Sequence, residues 1–196
     1  TTPPVEIKFD KIDKRNVLLM CLFLFFLYSD QLYQFPLEPW IVEKYGEETF
    51  GLYSLFLIIF VLIQAIMFVV AKKVSDSIDR KRIMIGCIIP YGILLILLPF
   101  QRFVVFVLLV GIMQVLAAFI LLNMGALMFS LSKKKVFIFQ IMASAILASK
   151  ILFVPLGVYL SDFIETELIL VLAGIGFLVS VVPFTLISLK EEMEEN

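Results

Sequence analysis

The sequence predicts an all-α, polytopic membrane protein with six transmembrane helices and both termini in the cytoplasm. Three observations carry that prediction. The 196 residues are 62% hydrophobic and 17% charged, with a mean hydropathy of +1.06, whereas soluble domains are charged at about a quarter of their positions. So much apolar side chain, twenty Phe among it, exceeds what one water-facing core of this size can bury, so the surrounding medium must be apolar. The apolar residues also fall into six runs, and the basic residues collect in alternate gaps between those runs.

Residues 1–15 are polar and are read as a cytoplasmic segment, with no cleavable leader expected. The spans follow at roughly 16–37, 48–71, 83–100, 103–131, 136–160 and 168–189, forming one transmembrane domain over 16–189, and 190–196 is a cytoplasmic tail. Each run is near or above the ~20 residues that cross ~30 Å of hydrocarbon at 1.5 Å per residue. The third is the shortest, and the fourth is long enough to tilt or to extend past the bilayer. Strands of a membrane barrel would be about ten residues long with alternating polarity, and these runs do not alternate.

Orientation follows from the cations. Thirteen Lys and Arg lie on one side: Lys8, Lys11, Lys14 and Arg15 before span one; Lys72, Lys73, Arg80, Lys81 and Arg82 after span two; Lys133, Lys134 and Lys135 after span four; and Lys190 in the tail. Only Lys44 and Arg102 lie on the other. That asymmetry predicts cytoplasmic termini, and a cell-membrane location is the expectation. The lipid bilayer is the first partner. A net charge of −1 and a pI near 5.5 give no basis for nucleic-acid binding.

Several chemistries are excluded. The chain has no His, which removes His-based metal sites, triads and proton relays. Cys21 and Cys87 lie 66 residues apart inside apolar runs and form neither a CxxC site nor a disulfide framework. No paired-Asp motif, HExxH or Ser-Lys dyad at plausible depth supports an intramembrane enzyme. No metal, cofactor or catalytic residue is expected. Small residues at helical spacing (Ser144 with Ala148, Ala145 with Ser149, and Gly111 with Ala118 and Gly125) read as ordinary helix packing.

The segment KKVSDSIDRKR, residues 72–82, holds seven charges in eleven residues. Topology accounts for its cations but not for Asp76 and Asp79 among them. The spacing resembles the loop signature of the major facilitator superfamily between helices two and three, roughly G-x-L-[AS]-D-x-x-G-R-[KR]-[KR]. Val74 stands for the Leu, Ser75 for the small residue, Asp76 for the Asp, and Arg80, Lys81 and Arg82 for the basic run. Lys72 and Asp79 stand where the two Gly would be. GIMQVLAAF in span four is similar to the family's R-x-x-Q-G-x-G-A-A pattern through Gln114, Ala117 and Ala118, with Gly111 in place of the Arg and Val115 in place of the first Gly. FVPLGVYLSD, through Pro155 and Gly157, resembles the end of helix five, and SDQLYQFPLEPWI with KYG resembles the first helix and loop. The resemblance implies an MFS-like half bundle of the N-terminal type, since a standard member has two six-helix halves with the substrate between them. It also implies that Asp76 meets the positive end of a helix in the opposite half, with Arg80 holding the loop. A second copy, another six-helix half, or the remainder of a longer transporter would supply that partner.

Ionisable groups at membrane depth cost at least ~2.5 kcal/mol each and usually mark function. Asp30 and Lys150 each lie 14 residues into a span that starts at the cytoplasm, a depth of ~21 Å. Equal depth permits an ion pair, which would be a structural staple or part of a substrate or proton site. Gln34 and Glu38 share the helical face of Asp30, and Glu38, beside Pro36 and Pro39, is read as solvated. Gln114 and Asn123 are candidate cavity residues, as are Gln64 and Gln140, although each serves equally well as an interhelical hydrogen bonder. Tyr28, Tyr33 and Trp40 are read as packing or interface aromatics. The function expected is a secondary transporter, or half of one, that moves a small solute by alternating access. The alternatives are a non-transporting membrane scaffold or assembly subunit, and an N-terminal fragment of a twelve-helix transporter.

Overall fold

The computed structural model describes residues 14–75, 79–132 and 136–187, with side chains throughout except at 130–132. All secondary structure among them is helical, and six segments are long and apolar enough to cross a membrane: Lys14–Tyr33, Glu47–Ser75, Arg80–Phe100, Phe103–Phe129, Val136–Ser161 and Thr166–Leu186. They are numbered here as spans one to six.

Span one is not uniform. It runs as α-helix over Lys14–Leu27 and tightens to a 3₁₀ turn over Tyr28–Tyr33. Pro36 follows closely; a proline removes a donor and disfavours helix at the residue before it, so the chain turns there. A short helix, Leu37–Tyr45, starts after Pro36 with Pro39 in its first turn, where the missing N–H costs nothing. Gly46 ends it at φ +92°, a conformation that side-chain-bearing residues rarely adopt, and span two begins at once with Glu47 and Glu48 in its first turn and Lys72 and Lys73 in its last. Both placements suit the helix dipole.

Span three opens on Asp79, whose side chain accepts a hydrogen bond from the Lys81 N–H at 3.0 Å as an N-cap. Span six is α-helical over Thr166–Val179 and again over Val181–Leu186, with a break at Ser180. Pro183 accounts for the break, because it cannot donate to the carbonyl four residues back; the Ser180 hydroxyl meanwhile donates to the Phe177 carbonyl at 2.6 Å.

Spans three and six pack on each other at the centre and are the most buried of the six. Span four packs on spans two and three, while span one packs on spans five and six, so the two ends of the bundle mirror each other. Spans two and five, at the flanks, are the least buried and carry rows of exposed Leu, Ile, Val and Phe. Glycines mark the closest contacts. A Cβ on Gly174 would lie 2.9 Å from the Gly92 carbonyl oxygen, and one on Gly157 would overlap the Leu32 carbonyl of the 3₁₀ turn. Of the small-residue rows, Gly111 backs onto the Phe60 ring, whereas Gly125 faces open space and Ser144 and Ala148 are exposed.

Candidate functional site

The 3₁₀ turn of span one is clamped on two sides. The Ser29 hydroxyl donates to the Ala173 carbonyl of span six at 2.9 Å, and Gly157 lets the backbone of span five close on Leu32. Asp30 is thereby held where two cavities meet. One, of about 200 Å³, lies among spans one, three, four and six, with Tyr28, Tyr91, Ala117 and Phe177 in its wall. The other, of about 260 Å³, runs from Asp30 past Gln31, Tyr33 and Gln34 to Glu38, against Tyr53 of span two. Asp30 is the residue common to both.

Among the described residues, the Gln31 side-chain amide donates to the carboxylate at 3.3 Å. Tyr33 lines the second cavity and Tyr91 the first, and the Tyr91 ring stacks on Phe177 with centroids 4.4 Å apart. Lys150 does not pair with Asp30: no ion pair within 4.0 Å forms between them. Its ammonium lies 5.3 Å from the centroid of the Tyr28 ring, a cation–π contact, and the side chain is otherwise exposed. Tyr28 thus stands beside both opposite charges.

The remaining candidates divide. Gln34 is exposed and lines the second cavity. Gln114 is half-buried, and Ala117 and Leu121, three and seven residues on along the same face, line the first cavity. Asn123 is buried in the packing of span four; its Nδ2 donates to the Phe119 carbonyl at 2.8 Å and its Oδ1 has no partner. Gln64 is half-buried and Gln140 exposed, and neither is in these walls. Glu38 is exposed at the mouth of the second cavity. The sequence reading missed the phenols. Tyr53 and Tyr91 line the cavity walls without belonging to any sequence motif, and Tyr33 lines the second cavity beside them. The available signal was a hydroxyl inside an apolar span, which seeks a partner when buried.

In the loop signature, Val74 and Ser75 close span two and Asp76 lies outside the described residues. Ser75 is buried, and its hydroxyl has no hydrogen-bond partner among the described residues. Arg80 is exposed, and Arg82 Nε lies 3.7 Å from Asp79 Oδ2. The Lys81 ammonium donates to the carbonyls of Thr185 and Ile187, at 2.8 and 2.7 Å, and so ties the start of span three to the end of span six.

The opposite end is closed by aromatics. Trp40 is buried against Tyr45 and Phe106 at centroid distances of 5.7 and 5.8 Å. The Lys44 ammonium sits 4.6 Å over the Trp40 ring, pairs with Glu167 at 3.3 Å and donates to the Pro99 carbonyl. The Tyr45 hydroxyl donates to the Gln101 carbonyl at 2.8 Å; burial, with the Glu167 charge second, pushes its pKa from 10.0 up to about 12. Among the described residues no cluster of His, Cys, Asp and Glu has the makings of a metal site.

A bundle of six helices, each long and apolar enough to cross a membrane, defines the class: a multi-pass integral membrane protein. The sequence profile of the Major Facilitator Superfamily matches residues 18–196, and the chain belongs to that family, whose members are in general transporters rather than enzymes. No curated protein and no solved structure matches the chain.

Proposed function

We propose that this chain is a six-helix half of a secondary transporter, moving a small solute by alternating access together with a second six-helix unit. The carrying observation is Lys150, exposed midway along span five and, among the described residues, without a carboxylate partner. A cation facing hydrocarbon at that depth costs ~2.5–3.5 kcal/mol or more. The cost is avoided if the face bearing Lys150 lines a watered cavity against a second unit. The exposed apolar rows of spans two and five then flank that cavity and pack on the partner or on lipid.

In this reading Asp30, Gln34 and Lys150 contact the solute or a coupling proton, Gln114 contributes from span four, and Asn123 holds that span's packing. The loop of Val74, Ser75, Asp76, Arg80 and Arg82 meets the partner unit on the cytoplasmic side, where the basic loops and both termini lie, in the cell membrane. A second copy of this chain supplies the other half in the simplest case.

Mass measurement of the protein in mild detergent, by native mass spectrometry, tests the assembly. A stable dimer is the expected result for this chain alone, with solute uptake once reconstituted in lipid vesicles. A strict monomer with no uptake would sink the self-assembled transporter and leave either a different partner chain or the remainder of a longer one.

A further inference from the structure

Asp30 and Lys150 both lie beside Tyr28, yet no ion pair within 4.0 Å joins them. Lys150 and Gly157 share one face of span five, two turns apart. Gly157 seats against Leu32 and Lys150 reaches Tyr28, so that face lies along the 3₁₀ turn carrying Asp30. A lysine has a long, rotatable stem and an aspartate beside it at the same depth would ordinarily capture it, since each lone charge is costly there. Instead, among the described residues, the carboxylate has the side-chain amide of Gln31 and the ammonium has the face of one phenol, Tyr28. Each retains unused hydrogen-bonding capacity: a carboxylate accepts several bonds and an ammonium donates three.

The cavity wall beside Asp30 is aromatic, with Tyr28, Tyr91 and Phe177 around the first cavity and Tyr33 and Tyr53 around the second. Aromatic faces attract a ligand cation, so the Asp30 end favours an ammonium, while Lys150, over the Tyr28 ring and outside both cavity walls, favours an anion. We infer that the site between Asp30 and Lys150 takes a small zwitterionic solute of the free amino-acid kind, with its ammonium at Asp30 among the phenols and its carboxylate at Lys150. A solute with one charge would leave the opposite protein charge unpartnered. An uncharged solute would leave both.

This inference rests on the transport reading, and binding and transport are therefore measured separately. The full chain in lipid nanodiscs is titrated by calorimetry with the twenty proteinogenic L-amino acids, betaine and taurine. Each ligand found is compared with its methyl ester, which keeps only the cation, and its N-acetyl derivative, which keeps only the anion. The free amino acid is expected to bind at least about tenfold more tightly than either derivative, because each charge-assisted contact is worth ~1.5–3 kcal/mol. Asp30→Asn is expected to abolish the preference over the N-acetyl derivative, and Lys150→Met the preference over the ester. If either variant does not fold, Asp30→Glu and Lys150→Arg, which keep each charge while shifting it, are read for the same pattern in weaker form.

An ester binding as well as the free amino acid would overturn the inference in favour of a cation site, and an N-acetyl derivative doing so in favour of an anion site. Absence of binding by every compound at millimolar concentration would also overturn it. Uptake into lipid vesicles is followed in parallel. Transport of some other solute without zwitterion binding removes this inference alone, whereas zwitterion binding without any uptake removes the transport reading alone.

Discussion

The Lys81 ammonium reaches two carbonyl oxygens at the end of span six, so this member of the basic run has a structural task as well as a topological one. Helix ends leave carbonyls without intrahelical donors, and a cation there satisfies both the hydrogen bond and the dipole. Lys81→Met should therefore lower the thermal stability of the purified protein by about 1.5 kcal/mol, whereas Arg80→Met, at an exposed side chain, should stay within ~0.5 kcal/mol. Equal losses in the two variants would remove the distinction. Spacing alone could not separate them: the family pattern gives both positions a basic residue, and only the fold shows which cation reaches span six. Tyr45 allows a second test at this scale. Its neutral hydroxyl donates to Gln101, and its pKa is raised from 10.0 to about 12 in the fold. Its stabilising contribution is thus fully present below pH 10 and is lost as pH climbs through 12. Tyr45→Phe should cost about 1 kcal/mol at neutral pH and should flatten that part of the unfolding-versus-pH profile; an unchanged profile would show that other groups set the alkaline limit.

Among the elements, the 3₁₀ turn at Tyr28–Tyr33 does most to build the site. Hydropathy saw span one as a single apolar run, because period and composition carry no record of a helix tightening by a fraction of a residue per turn. Asp30, Gln34 and Glu38 were placed on one face of an ideal helix, and they do line a common cavity, although the chain leaves α-helical geometry within that stretch. The clamp on this turn was only half legible. Gly157 stood out beside Pro155, but its contact with Leu32 joins residues 125 apart in sequence, and no local pattern reports that. Gly157→Ala would force the Leu32 carbonyl or span five to move, and should cost about 1–3 kcal/mol with a matching drop in ligand affinity at Asp30. Gly125→Ala, with nothing within 4 Å of the new methyl, should be neutral or up to ~1 kcal/mol stabilising. Melting curves of the two variants in the same detergent decide this. A harmless Gly157→Ala would mean that the clamp is slack.

At the scale of the whole molecule, two asymmetries point to how the bundle sits. One is in burial: spans three and six form the centre while two and five leave apolar faces open. The number and kind of spans were legible because a bilayer demands long apolar helices and little else looks like them. Which spans lie at the centre was not, since apolar residues on every face hide the direction of burial that an amphipathic pattern would reveal. The other asymmetry is in charge along the sequence, with thirteen cations in alternate polar segments against Lys44 and Arg102 in the intervening ones. Lys44 is moreover engaged with Glu167 and the Trp40 ring, which leaves the intervening segments with still less free positive charge. The positive-inside bias then fixes a definite labelling outcome. In a background where Cys21 and Cys87 are replaced by Ala, a cysteine at exposed Asp162, between spans five and six, should react with a membrane-impermeant maleimide in intact cells. One at exposed Lys73, at the end of span two, should react only after the membrane is opened. The reverse pattern would invert the protein, placing the basic loops outside and moving the partner-facing signature to the wrong side for the proposed cycle. Labelling of both sites in intact cells would mean mixed insertion, in which case neither end could serve a single direction of access.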